Sequence, residues 1–302
     1  MCRETGIRAA TTVLAISILS ALAACGQGNR DEAATDPTSQ QNVDRMSREH
    51  ADDSGRPGAG AAIPPERDVV AETLAYAEVD EELVYGHFVF PSDMVDPLPG
   101  LIVVHEWWGL NDGVRAMADR LAAEGYIVLA VDLFGGKTAE FPPDARELML
   151  AALQKPQLAE ENLRQAYEFI RATGGAPRIG SLGWCFGGAW ALNTALLFPD
   201  ELDAAVIYYG QVTADEARLA PLNVPILGLF AENDRGIPVE SVRSFEQVLD
   251  KLGKDYEIEI YPGVGHAFAN PSGTSYDADV ASQAWDRTVE FLRKHLTVAE
   301  AD

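Results

Sequence analysis

From about residue 69 onward, apolar positions fall into two alternating patterns. Short continuous runs, as in strands covered on both faces, occur at Leu101 to Val104, Ile127 to Val131, Ile179 to Leu182, Ala204 to Tyr208 and Ile226 to Phe230. Leu83 to Phe90 is an earlier strand candidate, closed by the Pro91-Ser92-Asp93 turn. Between the runs the spacing becomes helical. Val114, Met117, Ala118 and Leu121 share one face, with Asn111 placed to cap the helix and Gly125 to stop it. Leu163, Ala166, Tyr167 and Ile170 mark a second face, Ala189 to Phe198 a third, and Val242, Phe245, Leu249 and Leu252 a fourth. The last predicted helix is faced by Trp285, Val289, Leu292 and Leu296. Tyr256, Ile258 and Ile260 alternate with Glu257 and Glu259, which predicts a strand near the sheet's edge with one wetter face. Strand and helix in such alternation predict an α/β fold: a mostly parallel sheet, helices on both faces, right-handed crossovers. Ligands on such sheets sit at the carboxyl ends of the strands.

The first 66 residues read differently. Arg3 and Arg8 precede a short apolar run, Val13 to Ala24, and Leu22-Ala23-Ala24-Cys25 closes it. This ending resembles the lipobox of bacterial lipoprotein signal peptides, whose cysteine becomes the lipid-modified first residue; an ordinary secretory signal cut nearby is the competing reading. Residues 26–66 are rich in Asp, Glu, Ser, Gly, Pro and Ala, which predicts a solvated, disordered acidic linker in which His50 is inert. The predicted organisation is therefore a signal peptide at 1–25, a linker at 26–66 and one catalytic domain at 67–298. The expected location is the bacterial cell envelope, with membrane contact through the lipid anchor on Cys25 only. Loss of Cys2 and acylation of Cys25 would leave Cys185 as the lone thiol, without a disulfide partner. The net charge of -24, from 47 acidic and 23 basic residues, argues against nucleic acid as a partner.

The chemistry gathers around Gly183-Trp184-Cys185-Phe186-Gly187-Gly188, between a strand run and a helix run. Small residues around a central side chain permit the sharp turn of a nucleophile elbow, here carrying a thiol. Taken alone, the motif also suits a buried core cysteine. A thiol nucleophile needs a base, and the base an orienting acid. His266, in Gly263-Val264-Gly265-His266-Ala267-Phe268, follows the strand run ending at Ile260 and is the base candidate; His87 and His295 read as structural. Asp234, just past Phe230, is the preferred acid over Glu232. The order Cys185, Asp234, His266 is the nucleophile, acid, base order of α/β-hydrolases. His105-Glu106-Trp107-Trp108-Gly109 ends the first buried run, where the Trp107 N–H could join the Phe186 N–H as an oxyanion hole. Glu106 would either modulate the thiol or pair with Arg115.

Together these motifs resemble the dienelactone hydrolase family over roughly residues 68 to 297. The resemblance implies an α/β-hydrolase fold, no cofactor or metal, and a small ester or lactone substrate cleaved through a thioester. It casts Cys185 as nucleophile, His266 as base, Asp234 as its partner and Glu106 as the residue restraining the resting thiol. It also points to substrate contacts from Trp108, Phe134, Lys137, Phe268 and Asn270. Family members acting on dienelactone hold its carboxylate with two arginines; here the matching places hold Phe134-Gly135-Gly136-Lys137 and Asn270, so bidentate carboxylate recognition is lost. A non-catalytic binding protein on the same fold is the reading from another class, and a thioesterase or peptidase the competing enzyme.

Overall fold

The computed structural model describes residues 43–48, 50–56 and 64–297. Cys25 and the expected signal peptide lie outside the described residues. Eight strands form one sheet in the order β1-β2-β4-β3-β5-β6-β7-β8. The first two strands are β1 (Val69–Val79) and β2 (Glu82–Pro91). They pair antiparallel across Asp80 and Glu81, both at positive φ (54° and 66°), as a tight hairpin turn between right-twisting strands requires. β2 meets β4 (Ile127–Val131) antiparallel. All later neighbours are parallel: β3 (Gly100–Val104), β5 (Ile179–Trp184), β6 (Ala204–Tyr208), β7 (Ile226–Ala231) and β8 (Tyr256–Tyr261). This is the mostly parallel sheet that the sequence pattern predicts, in the α/β-hydrolase arrangement that the resemblance implies.

Every residue of β3 to β7 is buried, so helices cover the sheet on both faces, and each fully buried Val, Leu or Ile contributes roughly 1.5–3 kcal/mol. β8, the terminal strand, is only partly buried, in line with its Glu alternation. The helices are α1 (43–48), α2 (Asp112–Ala123), α3 (Pro142–Gln154), α4 (Pro156–Ala172), α5 (Phe186–Leu197), α6 (Glu216–Leu219), α7 (Val239–Lys251) and α8 (Ala278–Leu296). Asn111 caps α2 as expected, its side chain accepting from the Val114 N–H at 3.1 Å. α3 and α4 each begin at a proline, where the missing N–H costs nothing. α8 is rotated from its predicted face. Ala284, Thr288, Phe291 and Leu292 are buried, while Trp285 lies under the Arg120 guanidinium, 4.0 Å from its ring centre.

Part of the expected linker, residues 43–48 and 50–56, is placed against the domain, which corrects the linker prediction there. Val43 and Met46 of α1 are buried at 1% and 8% exposure, and polar anchors hold the rest. The Asp53 carboxylate accepts from the Thr274 N–H (2.9 Å) and hydroxyl (2.6 Å). Gly55 donates to the Glu140 carbonyl and its own carbonyl accepts from Asn111 Nδ2. A Cβ on Gly55 would lie 2.0 Å from the Ala139 carbonyl oxygen, so the backbone passes where no side chain fits. A segment with few large apolar residues is thus fixed by backbone and carboxylate bonds that a hydropathy pattern does not register.

Candidate active site

The carboxyl ends of β3, β5, β6, β7 and β8 share one rim of the sheet, and the candidate residues hang from it. At the end of β5 the chain turns through Cys185 at φ 56°, ψ -117°, a strained conformation for a non-glycine residue, and enters α5 directly. The turn depends on two glycines. A Cβ on Gly183 would lie 2.2 Å from the Gly187 carbonyl oxygen, and one on Gly187 2.1 Å from that of Val104. The thiol-bearing residue therefore sits at the N-cap of α5. Phe186 is the first residue of α5, so its N–H lies among the four with no carbonyl partner inside the helix.

The loops after β7 and β8 meet as the sequence predicts. His266 Nδ1 lies 2.6 Å from Asp234 Oδ2, and Asp234 Oδ1 accepts from the Gly236 and Ile237 N–H groups, both at 2.8 Å. Glu232, the rejected acid, instead accepts from the Gly263 N–H at 2.9 Å. His266 is buried, which pulls its pKa down; the Asp234 carboxylate and the Cys185 sulfur outweigh that and hold it well above the ordinary value. Its Nε2 is buried without a hydrogen-bond partner, on the same cavity wall as Cys185. The Cys185 thiol donates to the Met46 thioether, Sγ to Sδ 3.3 Å.

The loop after β3 is fixed by His105. The Leu133 N–H donates to His105 Nε2 at 3.1 Å, so Nδ1 carries the proton and donates to the Glu106 carbonyl at 2.6 Å. This locks the backbone that leads into Trp107. Glu106 is buried, which pushes its pKa up to about 7 against the lowering effect of His266; Asp53 adds to the rise and the 2.7 Å bond from Asn270 Nδ2 opposes it. Arg115, the alternative partner, makes no ion pair with it among the described residues.

The expected substrate contacts divide. Trp108, with Glu106, Asn270 and Tyr209, lines a small cavity of about 40 Å³. Asn270 uses its amide on Glu106. Three expectations are corrected by packing. Phe134 is buried between His105 (ring centres 4.6 Å) and Phe186 (5.3 Å), and so packs behind the loop that follows β3. Phe268 is fully buried between Tyr209 and Tyr261. Lys137 lines a separate groove with Thr73, Tyr85 and Arg115. The cavity that holds Cys185 and His266 measures about 340 Å³; Val43, Met46, Met149, Leu153, Trp190 and Ile237 wall it, and Glu160 and Arg218 add charged groups to its lining.

Four residues at the site escaped the sequence reading. Met46 touches the thiol, and Tyr209, at φ 36°, lies 5.0 Å from the His266 ring centre. Burial drives the Tyr209 pKa well up, helped by Glu106 and Cys185. His50 and Asp53 form a buried pair beside His266. The spacing Val43, Met46, His50, Asp53 was the available signal: one helical stripe inside a polar stretch.

The model of the dienelactone hydrolase family matches residues 85–296. "Protein usf" of Aquifex pyrophilus is 34% identical over 208 residues, covering 66% of this chain and 89% of its own length. A "Putative carboxymethylenebutenolidase" of Aquifex aeolicus (strain VF5) is 31% identical over 205 residues, with the same coverage. Among solved structures, that of a "Putative Dienelactone Hydrolase" from Klebsiella pneumoniae subsp. pneumoniae MGH 78578 superposes with a TM-score of 0.68 at 26% identity. It covers 76% of this chain and 100% of that one.

Proposed function

Because the chain belongs to the dienelactone hydrolase family, we propose that it is a carboxylic ester hydrolase cleaving a small ester or lactone through Cys185, His266 and Asp234. The observation that carries this reading is the strained Cys185 turn beside an imidazole held 2.6 Å from a buried carboxylate. Cys185 loses its proton to His266, and the thiolate attacks the substrate carbonyl. The Phe186 and Trp107 N–H groups take the oxyanion. Collapse expels the alkoxide, which His266 protonates, leaving a thioester that water then cleaves. Glu106, poised near neutrality, tunes the charge beside His266. The wall of the Cys185 cavity is mostly apolar, which favours an apolar acyl group, and its charged lining is Glu160 and a single arginine, Arg218, in place of the arginine pair of carboxylate-gripping relatives.

A panel of nitrophenyl esters of increasing acyl length tests the reading. Hydrolysis of short esters that disappears in Cys185→Ala supports it, and activity that survives in Cys185→Ala refutes the thiol mechanism. The same reading holds the protein at the bacterial envelope through lipid on Cys25. Cys25→Ser should move it from the membrane to the soluble fraction, and an unchanged distribution ends that proposal.

A further inference from the structure

Buried imidazole nitrogens without a partner are rare, because a native fold seldom leaves a buried polar atom bare. Among the described residues two of them belong to neighbouring rings: Nε2 of His50 and Nε2 of His266, on rings whose centres are 5.2 Å apart. The two rings are mounted alike. Each has Nδ1 2.6 Å from an aspartate Oδ2, Asp53 for His50 and Asp234 for His266. Each aspartate spends its other oxygen on two donors, the Thr274 N–H and hydroxyl for Asp53, the Gly236 and Ile237 N–H groups for Asp234. With Nδ1 donating to Asp53, His50 presents the lone pair of Nε2 as an acceptor. A purely structural histidine would be expected to find a partner for both nitrogens. This one is oriented as a base and its Nε2 is left without a partner.

Its position gives the base a task. His50 and His266 both line an open groove with Asn233, Arg235, Gly265 and Ser275; His266 also lines the mostly apolar cavity that holds Cys185, and the His50 ring centre lies 6.2 Å from that of Trp107. An acyl group on Cys185 would occupy the cavity, and water would arrive by the groove. Acylation leaves His266 without its proton, so two imidazoles, His50 and His266, border the path of that water.

We propose that His50, oriented by Asp53, is a second catalytic base that activates the water cleaving the Cys185 thioester. The proposal rests on the reading of Cys185 as nucleophile. A water O–H proton passes to His50 Nε2 while its oxygen bonds the thioester carbon. The C–S bond breaks and Cys185 leaves as thiolate. The carboxylic acid product gives its own proton to His266, restoring the thiolate–imidazolium pair, and departs as carboxylate. His50 releases its proton to solvent through the groove.

The test separates the two half-reactions. With enzyme in excess over a nitrophenyl ester, nitrophenolate release reads acylation, and decay of the acyl adduct in the intact-protein mass reads deacylation. His50→Gln is expected to leave nitrophenolate release unchanged and to slow adduct decay by about 10²-fold, with partial rescue of the decay by added imidazole. Equal slowing of both phases, or unchanged decay, overturns the proposal. Should His50→Gln fail to fold, Asp53→Asn keeps the side-chain volume and is judged by the same two outcomes. An adduct that still forms in Cys185→Ala overturns the nucleophile reading itself, whereas normal adduct formation with unchanged decay in the His50 variant overturns only the second base.

Discussion

Two regions of very different character reach the same sulfur. The strands β3 to β7 are buried at every position and carry Cys185 and the loops that hold Glu106 and Asp234 at their carboxyl ends. Residues 43–56 are mostly polar, bury two large apolar side chains, and deliver Met46, His50 and Asp53 by a handful of hydrogen bonds. The first region is costly to disturb and its role is general to the fold. The second is held by few hydrogen bonds and lines both the Cys185 cavity and the groove beside His266. Closeness to the chemistry and contribution to stability are therefore separable here.

The contrast can be broken most sharply at the elbow. Gly187→Ala sets a Cβ 2.1 Å from backbone, and a loss of more than about 4 kcal/mol, with little soluble folded protein, is expected. A variant melting within a few degrees of the parent would show the turn to be pliable. Next comes Asp234→Asn, which keeps the packing and removes the charge behind His266. A fall in kcat of about 10²- to 10⁴-fold, with the melting temperature nearly unchanged, is expected. Activity within a few fold of the parent would leave His266 without need of its acid.

Glu106 lies between the two regions, held on the sheet side and feeling the charge of Asp53. Its pKa rises from 4.5 to about 7, so between those values the native protein keeps a proton that the unfolded chain has released. Its contribution is thus fully present below about pH 4.5 and lost as pH rises through 7, by on the order of 3 kcal/mol at most. Glu106→Gln should flatten that decline in a comparison of melting at pH 5 and pH 8; an identical slope in both proteins would remove Glu106 as its cause. The smallest effect is expected from Thr274→Val, which deletes one of the two bonds that Thr274 donates to Asp53. A global loss of about 1 kcal/mol should accompany much faster trypsin cutting at Arg45, Arg48 or Arg56, and unchanged cutting would mean that the segment is held elsewhere.

What the sequence made legible follows from how each part is held. Continuous apolar runs announced β3 to β7, and the wet alternation of Tyr256 to Ile260 placed β8 at an edge. The four motifs sit directly after those runs, so locating the strands located Cys185, Asp234, His266 and Glu106 on one rim. Side-chain direction was not legible. Phe134 and Phe268 follow motif positions in the chain yet pack inward, and Lys137 turns to another groove, because loop geometry after the motif decides which way a residue faces. β1 mixes Glu, Thr and Ala with its apolar residues and gains its place mainly by pairing with β2. His50 was dismissed for lying in a polar stretch, where composition predicts disorder; its anchors are a carboxylate, a hydroxyl and backbone groups, which hydropathy does not count.

The wall that Val43 and Met46 supply stands outside the span matched by the family, residues 85–296. Two descendants of one ancestor could keep an identical catalytic rim and admit different acyl chains by exchanging about a dozen upstream residues, at little risk to the sheet. Selectivity in this lineage would then be inherited, and engineered, as a separate cassette from catalysis.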